Sequence, residues 1–247
     1  MLKLHKKIGE TPLECLQRWT KENPKYENIK MTYAGRLDPM AEGELLVLVG
    51  EECNDKEKYL GLDKEYEFEV LFGFETDTYD ILGLPHLEIE PAGEYDLARH
   101  KEKIERFLEK IRGKQKQKYP PFSSKTVDGK PLFELAKAGE LDESKIPEKE
   151  IEIYEADFTK SYWINGQDLK ADILKRITLV KGDFRQEEIL KKWKEQLLGR
   201  GEERFLVSGF KVVCSSGTYI RGLVDSFGKM VNYPTLAFKI KRTKIFV

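Results

Sequence analysis

Residues 64–73 read KEYEFEVLFG, with Tyr66, Phe68 and Val70 alternating with Glu65, Glu67 and Glu69. A period of two places the three apolar side chains on one side of an extended backbone and the three carboxylates on the other, which a helix of 3.6 residues per turn does not do. The chain must therefore build a sheet with a core on one face, and Tyr66 opens that face. Residues 44–50, ELLVLVG, form an unbroken Leu and Val run stopped by glycine, the profile of a strand buried on both faces. Elsewhere the period is helical. TPLECLQRWTKE offers Thr11 as N-cap, Pro12 at the first helical position and Leu13, Leu16 and Trp19 at helical spacing. Residues 94–111 repeat Leu97, Ile104, Leu108 and Ile111, a helix of about five turns. Residues 184–198 predict a surface helix. FLVSGFKVVCSSGTYIRGLVDSFGKMV predicts a strand, a Ser-Ser-Gly turn and a helix that buries Ile220, Leu223, Val224 and Phe227. Strands and helices mix without regular βαβ alternation, so the expected class is α+β.

A length of 247 residues suits one large or two small domains. Lys plus Arg number 43 against 44 Asp plus Glu, so no bulk positive field announces a nucleic-acid partner, and any such partner must be read from local patches. No apolar stretch approaches the ~20 residues of a membrane span, and the N-terminus lacks a signal-peptide core, so no membrane partner and a cytoplasmic address are expected. Cys15, Cys53 and Cys214 are scattered and read as small buried hydrophobes. His5, His86 and His100 have no metal-ligand spacing and read as surface or capping residues, so no metal is assigned. Nucleophile-elbow, Walker, G-x-G-x-x-G and H-E-x-x-H patterns are all missing, which removes the warrant for hydrolase, NTPase, Rossmann or metalloprotease chemistry.

Two local features remain. Residues 110–130 carry Lys110, Arg112, Lys114, Lys116, Lys118, Lys125 and Lys130 against Asp128 alone, with Tyr119 and Phe122 among them. Cations with interleaved aromatics suit a phosphate backbone and unstacked bases, and a solvated lysine-rich loop is the competing reading. The other feature is Asp38, which follows Gly35, Arg36 and Leu37 and precedes Pro39, on a loop entering the apolar strand. A carboxylate without histidine or metal partner can serve as a nucleophile, and an adjacent guanidinium would orient it through a bidentate pair. Tyr219 and Arg221 fall in the first turn of the last helix, off its buried face, and can point across at what lies beyond. Thr76, Asp77, Thr78 and Asp80 make a polar loop at a strand end, suited to a site wall. Taken singly, Asp38 can cap a turn, Tyr66 can be a satisfied core tyrosine and Arg221 can face solvent.

Together YAGRLDPMAEG, KEYEFEVLFGFETDTYDILG, PPFSSKTVDGKPLFELAKAG and CSSGTYIRGLVDSFG resemble the TruB family of tRNA pseudouridine synthases, and HKKIGETP is similar to that family's K-P-x-G-x-T-S start. The resemblance covers most of residues 6–229. It implies a pseudouridine synthase fold: a mixed, mostly antiparallel sheet flanked by helices, with the active-site cleft across it. It also implies isomerisation of a T-loop uridine in tRNA without cofactor or metal. Asp38 falls on the nucleophile, Tyr66 on the tyrosine that packs on the flipped base and is a candidate proton acceptor, and Arg221 on the arginine that pairs with the aspartate. Candidate RNA contacts are Tyr33, Arg36, Lys64, Lys114, Lys116, Lys118, Phe122, Lys125 and Tyr219. Two departures stand out. Tyr33 occupies the place of the family's wedging histidine, and Arg36-Leu37-Asp38 resembles the RluA and RsuA branches, so ribosomal or another RNA is an alternative substrate. A noncatalytic RNA-binding or RNA-folding protein of the same fold is a further alternative. The expected organisation is one catalytic domain over residues 1–247, acting as a monomer, with no room for the C-terminal PUA domain of many relatives.

Overall fold

The computed structural model describes residues 1–85 and 96–247. In chain order the elements are β1 (Leu2–Lys6), α1 (Pro12–Glu22), β2 (Met31–Ala34), β3 (Ala41–Val49), α2 (Lys56–Leu60), β4 (Lys64–Phe72), α3 (His100–Ile111), β5 (Gly113–Lys118), β6 (Thr126–Val127), β7 (Lys130–Pro131), α4 (Leu132–Ala138), β8 (Glu148–Asn165), α5 (Gly166–Thr178), α6 (Gln186–Gln196), β9 (Arg204–Cys214), α7 (Ile220–Val231) and β10 (Thr235–Ile245). One eight-stranded sheet runs β1-β3-β10-β4-β9-β8-β5, with β2 paired to β3. Among the named strands of the described residues, only β3 and β10 pair in parallel. The α+β class with a mixed, mostly antiparallel sheet holds.

The strongest sequence signals became the centre of the sheet. In β4, Tyr66, Phe68, Val70 and Phe72 pack with Phe107 of α3 and with Leu223, Val224 and Phe227 of α7. Each such side chain contributes about 1.5–3 kcal/mol on leaving water. The opposite face buries Leu71, Leu236, Phe238, Phe205 and Val207 against Leu169 and Ile173 of α5 and Trp193 of α6. The helix over residues 184–198 is therefore less superficial than its charge suggested. Between β3 and β10 the backbones approach so closely that a Cβ on Gly43 would sit 2.1 Å from the Arg242 carbonyl oxygen, a position only glycine tolerates.

Thr11 caps α1 in a full capping box with Glu14. The helix expected over residues 94–111 begins at His100, after a 3₁₀ turn at Leu97–Arg99, and residues 94 and 95 lie outside the described residues. The same holds for His86. His100 opens its helix, its Nε2 3.0 Å from the Ser208 hydroxyl. The three cysteines are free and buried. Among the described residues no helix is long and apolar enough to cross a membrane.

Candidate active site

Asp38 lies on the loop between β2 and β3. Its carbonyl accepts from Ala41 N–H at 3.0 Å, and the next carbonyl, of Pro39, accepts from Gly9 N–H at 2.8 Å. The rigid β3 strand and the N-terminal loop thus fix the turn from both sides. Arg221 enters from α7, whose start is held by Gln117 of β5. The Gln117 amide donates to the Tyr219 carbonyl at 2.9 Å and accepts from Tyr219 N–H at 2.9 Å. Arg221 Nε donates to Asp38 Oδ2 at 2.7 Å, Nη1 to the Thr78 carbonyl at 2.7 Å and Nη2 to the Phe122 carbonyl at 3.2 Å. The pair is made through one nitrogen, not the expected bidentate fork, because the other two arms are committed to main chain. The Arg221 side chain is 4% exposed and that of Asp38 39%. The guanidinium is therefore desolvated and immobile, while the carboxylate faces open space.

That space is a cleft of about 890 Å³ whose walls include Tyr33, Arg36, Asp38, Lys64, Tyr66, Phe122, Tyr219, Arg221 and Arg242. Tyr66 forms part of the floor, 7% exposed, and burial pushes its phenol above the ordinary range while the neighbouring Arg242 charge pulls it partly back. Lys64 donates to the Leu60 and Leu62 carbonyls, and its ammonium is lowered to about 8, first by burial and then by Arg242. Phe122 is covered by the Arg185 guanidinium, 4.3 Å from its ring centroid, and Tyr219 meets Tyr119 edge-on at 5.5 Å. Tyr33 carries the Lys56 ammonium 5.4 Å from its ring centroid.

The remaining basic candidates are elsewhere. Lys114, Lys116 and Lys118 alternate along β5 with Gln115 and Gln117, and the glutamines take the α7 side. The lysines project from the opposite face, each directly across from a glutamate of β8: Lys114 from Glu152, Lys116 from Glu150 and Lys118 from Glu148. The structure does not bring them to the cleft, and this arrangement is a charge-matched solvated face. Lys125 is not a wall residue either; its ammonium lies 5.5 Å from the Tyr119 ring centroid.

Two wall residues were given no role of their own from the sequence: Asp80, named only as one of four residues in a polar loop suited to a site wall, and Arg242. Asp80 is buried beside the pair, its Oδ2 3.7 Å from Arg221 Nε, and its Oδ1 accepts from Leu82 N–H and the Thr78 hydroxyl at 2.9 Å each. Burial raises its carboxyl to about 6 even though Arg221 opposes this. The loop winds so tightly that a Cβ on Gly83 would meet Thr78 Oγ1 at 2.3 Å. Arg242 of β10 stands opposite Tyr66 in the β4 register and is 1% exposed.

Residues 22–182 match the TruB family pseudouridylate synthase (N terminal domain). The tRNA pseudouridine synthase B of Bacillus subtilis is 28% identical over 243 residues, covering 98% of this chain and 64% of that protein. The one from Aquifex aeolicus is 35% identical over 144 residues, covering 58% of this chain and 47% of that protein. The chain thus spans less than two thirds of the length of these relatives. The relative from Flavobacterium johnsoniae is 31% identical, with 89% of this chain matched to 74% of that protein. Among solved structures, a Cbf5-Nop10-Gar1 complex superposes with a TM-score of 0.55 over 98% of this chain and 48% of the matched chain, at 17% identity. An H/ACA RNP bound to a substrate RNA containing 2'-deoxyuridine gives a TM-score of 0.52 over 98% of this chain and 47% of the matched chain, at 15% identity. At such identity these two similarities bear on the fold alone. Taken with the Asp38 loop, the Tyr66 strand and the Arg221 helix in their sequence order, the match establishes that the chain belongs to the TruB pseudouridylate synthase family.

Proposed function

We propose that this chain is an RNA pseudouridine synthase that isomerises a uridine in the T-loop of tRNA. The observation that carries the reading is the 2.7 Å contact between Arg221 and Asp38 at the wall of an open cleft, in a chain of this family. In the proposed reaction a uridine leaves its stack and enters the cleft, a step costing a few kcal/mol. Asp38 attacks the nucleoside, the N-glycosidic bond breaks, and the base rotates and rejoins through carbon. Arg221 holds the attacking carboxylate in place. Tyr66 packs on the base and is the candidate proton acceptor; burial raises its phenol above the ordinary range and the Arg242 charge opposes that rise. Tyr33, Arg36, Lys64, Phe122 and Tyr219 supply stacking and phosphate contacts from the cleft walls. Residues 1–247 act as one catalytic domain, since one sheet supplies Tyr66 and Arg242 and bears β3, which the Asp38 loop enters. The cleft walls named above all come from one chain, which fits a monomer; the proposed setting is the cytoplasm, where the tRNA would be met.

Ribosomal or another RNA is the second reading, favoured by Arg36, which is exposed at the cleft. Incubation of the chain with unmodified tRNA transcripts, ribosomal RNA fragments and total RNA, followed by nucleoside chromatography and position mapping, tests both. Pseudouridine at a T-loop uridine supports the first reading, a ribosomal position supports the second, and unchanged uridine in every RNA contradicts both.

A further inference from the structure

Arg242 is the most deeply buried arginine of the cleft, and its three nitrogens are used unequally. Nε donates to the Glu44 carbonyl at 2.7 Å and Nη1 to the Arg36 carbonyl at 3.1 Å. These two bonds tie the guanidinium to β3 and to the Asp38 loop. Nη2 is buried and meets no acceptor in hydrogen-bond geometry, although the guanidinium lines the cleft beside the Tyr66 phenol, with which it interacts. Among the described residues Arg242 has no carboxylate within ion-pair distance, whereas Arg221 has two. A buried cation that lacks both an anion and a full set of acceptors is costly, and such groups persist where a ligand completes them. The ligand oxygen must come from the cleft, next to the Tyr66 ring across the β10–β4 register.

We propose, on the functional reading above, that Arg242 Nη2 donates to a carbonyl oxygen of the target uracil and balances the charge the base acquires when its glycosidic bond breaks. Asp38 bonds to C1′ as the C1′–N1 bond breaks, with both electrons passing to the base. The base anion then bonds to C1′ through C5 as the Asp38 ester bond breaks; the C5 proton is lost and N1 takes one up. Between these steps the negative charge spreads over the ring and its carbonyl oxygens. Arg221 is occupied by Asp38 and main-chain carbonyls, so the free nitrogen of Arg242 is placed to meet that charge. A phosphate contact is the less favoured reading, because Arg242 lies at the floor, 1% exposed, beside the surface that takes the base.

The test compares wild type, Arg242→Lys and Arg242→Gln under single-turnover conditions on two T-stem-loops, one with uridine and one with 5-fluorouridine, whose base is the more acidic leaving group. RNA affinity and thermal unfolding are measured on each variant. Arg242→Gln is expected to slow consumption of uridine at least a hundredfold but of 5-fluorouridine less than tenfold, with Kd within threefold. Arg242→Lys, which keeps the charge, is expected to recover at least part of the uridine rate. Equal slowing on both bases in a folded variant would mean Arg242 only holds the Asp38 loop. A weakened Kd with a normal rate at saturation would place it on a phosphate. Either result overturns the proposal while wild-type turnover leaves the functional reading intact. A wild-type chain that consumes neither base would contradict that reading itself, and this inference with it.

Discussion

The cleft and the outer face of β5 both carry clustered cations, yet they differ in every respect that decides what a charge can do. On β5, Lys114, Lys116 and Lys118 are exposed and sit across from Glu152, Glu150 and Glu148. Such pairs are worth about 0–1 kcal/mol, and salt screens them. In the cleft, Arg221 and Arg242 are 3% and 1% exposed, held by main-chain carbonyls, and face an open volume containing one half-exposed carboxylate. Density of basic residues along the chain picks out the β5 face; burial and partner geometry pick out the cleft. A cation tells of function when the fold has removed its water and left its geometry fixed.

The contrast is sharpened most by Asp38→Asn. The amide keeps the side-chain shape but loses the nucleophilic charge, so pseudouridine formation is expected to fall below detection while Kd stays within about threefold. Appreciable turnover would remove Asp38 from the chemistry.

A smaller effect is expected from Asp80, whose folded carboxyl is raised to about 6 from 3.8. The sign follows from proton linkage: the folded state binds this proton more tightly than the unfolded chain. The contribution is therefore fully present below about 4 and is lost as pH rises through about 6. Comparing wild type with Asp80→Asn by chemical denaturation, the wild-type minus variant stability should grow by roughly 2–3 kcal/mol from pH 7 to pH 4. A difference that stays flat with pH would mean Asp80 is not desolvated as described.

The smallest effect is expected on β5. Replacing Lys114, Lys116 and Lys118 together by alanine should leave turnover within twofold and the slope of log K against log salt changed by less than the ~0.9 of a single phosphate contact. A slope shallower by two or three contacts would return the ladder to the RNA interface.

Asp38, Tyr66 and Arg221 were legible because each is marked locally, by a turn before an apolar strand, by strict alternation, and by the first turn of an amphipathic helix. Their convergence depended on the resemblance as well as on those local signals. Asp80 was not distinguishable from Asp77 in a run of turn residues; which one is buried depends on the winding of the loop against Ala237, whose N–H donates to the Tyr79 carbonyl at 2.9 Å. Arg242 is one of several basic residues in FKIKRTKIFV, and nothing local separates it from Lys239 or Lys244. The β10–β4 register does, pairing Arg242 with Tyr66, after a shift between Ala237 and Lys239 that breaks simple alternation. The 18-residue β8 escaped notice for a similar reason. Its irregularities at Ile153/Glu155 and Phe158/Lys160 interrupt the period of two that made β4 obvious.

The account rests on Arg221 as the fixed, desolvated partner of the attacking carboxylate, and Arg221→Lys tests that most directly. Lysine keeps the charge but has no planar group able to reach Asp38 and the Thr78 and Phe122 carbonyls at once. In single-turnover assays on a T-stem-loop, the rate at saturating protein is expected to fall at least a hundredfold, with RNA affinity within threefold and native thermal unfolding. An unchanged rate in that folded, RNA-binding variant would contradict the account, because any nearby positive charge would then serve.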